Sequence, residues 1–175
     1  MMAWSLRRNR PERVPETARS AIELGPGERL LSWANDDSSG ATVVASNHRL
    51  YAVSAAGDIV LSRPWHLVDA GSWSHDAFLL TVSWVDRQRP AQWVFREPTL
   101  LPETLRERVQ ASVVLAQRVD LGERRSARAV IRQDLASGEL VEQVVLGKGV
   151  RPEDPGVQQQ TGAALAYLKE QVGLA

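Results

Sequence analysis

Val43-Val44-Ala45-Ser46-Asn47-His48-Arg49-Leu50-Tyr51 joins two apolar, β-branched runs through one short polar turn. Reading outward, Ala41 to Ser46 forms one strand and Arg49 to Ser54 the next, with Leu50, Ala52 and Ser54 alternating against Tyr51 and Val53. Alternation with a period of two sends successive side chains to opposite faces, and two such runs across a tight turn predict an antiparallel hairpin. The same pattern continues on both sides. Upstream, Glu28 to Ala34 predicts a strand ending in the loop Asn35-Asp36-Asp37-Ser38-Ser39-Gly40. Downstream, Ala56-Gly57 turns the chain into Asp58 to Ser62, which Arg63-Pro64 is expected to close because proline cannot donate to a ladder. Further strands are predicted over His66 to Trp73, Ala77 to Val85 and Ala91 to Glu97, with Phe78, Leu80, Val82 and Trp84 sharing one face of the sixth.

From Pro102 the apolar period lengthens. Leu105, Val109, Ser112, Val113, Ala116 and Val119 follow helical spacing, with Glu103 in the first turn and Arg118 near the end. This predicts an amphipathic helix of roughly five turns that stops before Gly122. Arg128 to Asp134 and Leu140 to Leu146 then read as a β-hairpin. Asp154-Pro155 reads as an N-cap with proline at the first helical position. The helix it opens carries Val157, Thr161, Ala164, Leu165, Leu168 and Val172 on one side and stops at Gly173. Residues 1–20, rich in Arg and interrupted by Pro11 and Pro15, read as a flexible arm.

Seven antiparallel strands followed by one amphipathic helix resemble the PH-like superfold, and Ser46-Asn47-His48-Arg49-Leu50 resembles the N-x-R-L run of bacterial PH-like and GRAM domains. The resemblance covers about residues 25–120. It implies a PH-like seven-stranded β-roll capped by a C-terminal helix within residues 21–121; with the flexible arm over 1–20 and the β-hairpin and second helix over 122–175, which the resemblance does not reach, the expected chain is α+β. It also implies a binding scaffold for proteins, peptides or lipid head groups rather than an enzyme. The first loop departs from the lipid-binding members. It carries Asp36 and Asp37 and no base, which argues against phosphoinositides.

Composition excludes several chemistries. The 175 residues contain no cysteine, so disulfides, thiolate metal sites and a Cys nucleophile are ruled out. No run approaches the roughly 18 to 20 apolar residues of a membrane helix. The N-terminal stretch lacks the apolar core of a secretory signal, so a cytoplasmic protein is expected. Formal net charge is zero, leaving no global field to draw nucleic acid or an anionic surface. His48, His66 and His75 lack the offsets of a metal or acid/base site, and no serine lies in a Gly-x-Ser-x-Gly elbow. Gly147-Lys148-Gly149 lacks the spacing of a phosphate-binding loop and reads as a hairpin end. No catalytic residue, cofactor or metal is therefore expected.

Candidate partner-binding residues remain. Among six tryptophans, Trp65 beside Pro64 is the candidate exposed anchor, since interface hot spots favour Trp and Arg. Arg118, Arg124, Arg125, Arg128 and Arg132 form a basic cluster, diluted by Asp120, Glu123 and Asp134. The expected role is a non-enzymatic protein-binding or adaptor module that engages a protein partner or a second copy of itself. The alternative is nucleic-acid association through the arginines.

Overall fold

Ser46 shows why the opening stretch folds as it does. Its hydroxyl accepts from the backbone N–H groups of His48 and Arg49 at 3.0 and 2.8 Å, closing the turn. Asn47 ties that turn to the preceding segment, accepting from Arg29 N at 2.7 Å and donating to Gly27 O at 3.0 Å. The Ser-Asn pair is thus a brace that fixes hairpin register.

In this computed structural model, which describes residues 13–174, the chain is α+β, with three antiparallel sheets. β1 (Leu30–Asn35), β2 (Thr42–Ser46), β3 (Arg49–Val53) and β4 (Ile59–Pro64) form a four-stranded meander. A 3-10 turn, Trp65–Leu67, carries the chain into a second sheet of β5 (Val68–Ser74), β6 (Leu79–Trp84) and β7 (Ala91–Val94). Helix α2 (Leu101–Ser112) closes these two sheets. Leu101 and Leu105 are buried in one cluster with Val43, Leu50, Trp65, Leu80, Val82 and Phe95. Asp36 and Asp37 fasten the first loop to β7. Asp36 Oδ1 accepts from Val94 N at 2.8 Å and Asp37 Oδ2 from Arg96 N at 2.8 Å. Both carboxylates therefore hold the loop inward.

The third sheet has the order β10-β9-β8, built from β8 (Val113–Asp120), β9 (Ser126–Gln133) and β10 (Leu140–Leu146). The expected hairpin is present, with an additional strand beside it. That strand corrects the sequence reading, because the predicted five-turn helix ends at Ser112 and residues 113–120 are extended. Val113-Val114 is a β-branched pair that packs poorly in a helix. Leu115, Gln117 and Val119 also alternate with Ala116 and Arg118, and ladder bonds to β9 decide between the two periods. Helix α3 (Val157–Gln171) covers one face of this sheet, burying Val157, Thr161, Ala164 and Leu168 as expected.

Three smaller readings are also corrected. Pro15 starts a helix, α1 (Glu16–Ala21), rather than breaking one, since its missing N–H costs nothing at a helix N-terminus. Ala18 and Ile22 pack on Val44 and Tyr51, so the end of the expected arm is anchored, while residues 1–12 lie outside the described residues. Phe78 leaves the sixth-strand face, because it takes a left-handed φ of 52° in the turn before β6 and is 43% exposed. Gly156, not Asp154, caps α3, while Asp154 accepts from Arg151 N at 2.9 Å. The boundary expected between residues 121 and 122 falls in the turn joining β8 to β9.

Candidate functional site

Among the described residues, two open cavities and a buried polar joint gather polar side chains. The first cavity, about 590 Å3, lies between the segment after α1 and strands β3 and β4, with Ile22, Pro26, Tyr51 and Ile59 as apolar lining and Glu28 and His48 as polar lining. Glu28 Oε1 accepts from Ser46 Oγ at 2.5 Å and Tyr51 Oη at 2.6 Å, and Oε2 accepts from Gly25 N at 2.9 Å. Burial opposes ionisation of Glu28, but these hydrogen bonds outweigh it and hold the carboxyl below its usual value. Burial and the adjacent carboxylate push the Tyr51 phenol well up. Glu28 therefore stays charged and Tyr51 protonated across neutral pH, so the pair braces the cleft instead of exchanging protons. Ser46, the hydroxyl between them, is fully buried and committed to the turn.

The joint lies between the first two sheets and the third. Side chains Arg128, Val130 and Arg132 leave one face of β9 toward the 3-10 turn, while Ala127, Ala129 and Ile131 face α3. Arg132 is 1% exposed and its Nη1 donates to Trp65 O at 3.2 Å, Val68 O at 2.7 Å and Ser112 Oγ at 3.2 Å. Gln143, on β10, donates to His66 O, and Arg87 donates to Val150 O at 3.0 Å. Burial draws the Arg132 pKa down, partly offset by Asp69.

These positions correct two predicted site residues. Trp65 is 0% exposed, its indole donating to Ser46 O at 2.9 Å, so it is a core residue and no anchor. A tryptophan after Pro64 reads as a loop residue in sequence, but the 3-10 turn folds it under α2. Arg132 belongs to the joint and is enclosed, because its strand face meets the 3-10 turn carbonyls. Of the other arginines, Arg125 pairs with Asp154 at 3.3 Å and Arg128 pairs with Asp69. Arg124 is exposed in the β8–β9 turn at a φ of 62°. Arg118 and Arg128 stand directly opposite across β8 and β9.

Together with Asp69, Ser126, Gly147 and Lys148 they line the second cavity, about 390 Å3. Sequence reasoning missed the roles of Glu28, Tyr51, Gln143 and Lys148. Only Lys148, flanked by glycines, carried a local signal, since the others meet across 23 to 77 residues of chain. Trp73 Nε1 donates to His75 Nδ1 at 3.2 Å, and among the described residues no group of three His, Asp or Glu side chains could hold a metal. No described helix is long and apolar enough to cross a membrane. No family model matches the chain significantly, and neither does any curated protein or solved structure.

Proposed function

We propose that β1–β7 with α2 form a PH-like roll, and that the chain is a non-enzymatic protein-binding module whose docking edge is β4. One observation carries this reading: among the described residues β4 pairs with β3 alone, and its residues Ile59 and Val60 are 42% and 63% exposed, Ile59 lining the 590 Å3 cleft. An unpaired strand edge offers main-chain donors and acceptors to an added strand, and neighbouring pockets supply side-chain specificity. Of the devices that commonly blunt such an edge, β4 carries Arg63-Pro64 at its end and a register shift against β3 at Val60, while Ile59, Val60 and Leu61 bear no charge. The unavailability of Glu28, Tyr51 and Ser46 for proton transfer supports a binding role over a catalytic one. Nucleic-acid association has less support, because Arg132 is enclosed and Arg125 is held by Asp154, which leaves no continuing track of free cations.

The test is site-specific photo-crosslinking from position 60 in the native host, compared with the same crosslinker in a chain carrying Ile59→Lys. A defined protein adduct that Ile59→Lys abolishes, with the fold retained by circular dichroism, is the expected result. A crosslinking pattern indifferent to Ile59→Lys would overturn the reading.

A further inference from the structure

The second cavity has a charge imbalance that the fold does not resolve internally. Arg118 and Arg128 are register partners on β8 and β9, so their side chains leave the same face, toward the first two sheets. Like charges directly opposite on a ladder repel. Asp69 of β5 pairs with Arg128, and among the described residues no carboxylate pairs with Arg118 or Lys148. Three cations therefore share one carboxylate in a groove of about 390 Å3. The chain as a whole has zero formal net charge, so this excess of two positive charges is local.

We propose that this groove binds one dianionic phosphoryl group between Arg118, Arg128 and Lys148. A phosphomonoester carries about 1.5 to 2 negative charges at neutral pH, which matches the excess. Guanidinium groups present paired donors that fit phosphate oxygens, and Lys148 adds a mobile point charge. The groove's position supports the choice, since ligand clefts form preferentially where separate structural units meet. Its floor is fixed, because Gly147 N donates to Ser126 O at 2.8 Å and anchors the loop that carries Lys148. A polynucleotide would need a continuing track of cations. The neighbouring arginines do not supply one, as Arg125 is held by Asp154 and Arg132 is enclosed.

The phosphoryl group could arrive as the free ion or on a small organic carrier, and a two-armed titration of the full chain separates these. Amide and arginine Nε–Hε resonances are followed by NMR while inorganic phosphate, or a nucleoside 5′-monophosphate, is added at constant ionic strength. Saturable shifts at Lys148, Gly149, Arg118 and Arg128 are expected. Arg118→Gln and Lys148→Gln, both at exposed side chains, should each weaken binding at least tenfold while leaving the remaining spectrum unchanged. Tighter binding of the nucleotide assigns an organic carrier, and equal binding assigns the free ion. Shifts that fail to saturate, that chloride reproduces, or that survive both substitutions would sink the proposal.

Discussion

Arg132 reverses what its charge alone implies. A buried guanidinium with three acceptors on one nitrogen is held in place by groups that would lose their donor if it were removed. Leaving buried acceptors without their donor costs about 1 to 3 kcal/mol. Arg132→Ala is therefore expected to lower unfolding free energy by that order in urea titrations. Arg132→Met keeps much of the volume and is expected to cost less, because dispersion contacts survive where the hydrogen bonds do not. His66 supplies a prediction in pH. Burial draws its pKa below the ordinary value, Arg132 and Arg49 act in the same direction, and Asp134 opposes them. The folded state thus disfavours protonated His66. Its contribution is complete above the unfolded value of 6.5 and is lost as pH falls through the folded value. Stability should decline as pH falls below 6.5, and His66→Phe should flatten that decline. Parallel profiles for the two proteins would refute the assignment. Glu28 and Asp36, whose carboxyls titrate below 4.5 and 3.8, lose their contributions at lower pH and leave this window clear.

Local alternation was sufficient to read β1 to β7, β9, β10 and the apolar side of α3 from sequence. Each of those elements carries its own period and its own turn residues. The run from Leu101 to Asp120 does not, since residues 113–119 satisfy a helical and a strand period at once. Pairing with β9, whose first residue lies at Ser126, resolves the ambiguity, and sequence periodicity cannot register that contact. Close approaches were equally hidden. A Cβ at Gly147 would sit 2.4 Å from Ser126 O, and one at Gly71 would sit 2.5 Å from Leu105 Cδ2. The first obstacle is main chain and cannot yield, whereas the second is the end of a side chain. Gly147→Ala should therefore destabilise by about 2 to 3 kcal/mol, at the upper end of overpacking costs, and Gly71→Ala by about 1 kcal/mol. Thermal melts that reverse this order would contradict the packing described.

At the scale of the molecule, α2 runs into β8 without a linker, so the first two sheets and the third are continuous in chain as well as in contact. A chain ending at Leu121 would keep β8 but lose β9, leaving a new open edge. It would also strip Trp65 O, Val68 O and Ser112 Oγ of their buried donor. Such a fragment is expected to aggregate or to unfold at markedly lower temperature, whereas the full chain should melt in one transition. Two separate calorimetric transitions in the full chain would show that the parts unfold independently. The candidate sites were less legible than the fold for the same reason: the groove gathers Asp69, Arg118, Arg128 and Lys148 from four separate segments. The joint also bears on how this sequence can drift. Arg132 and Gln143 address main-chain oxygens of the 3-10 turn and of Val68, and every amino acid supplies a carbonyl. Substitution can therefore proceed at His66 on one side of the joint without loss of the contact, while Arg132 and Gln143 on the other are pinned. At these two contacts divergence should be one-sided, whereas Arg87, which donates to Val150 O, pins the opposite side and the Arg128–Asp69 pair pins both.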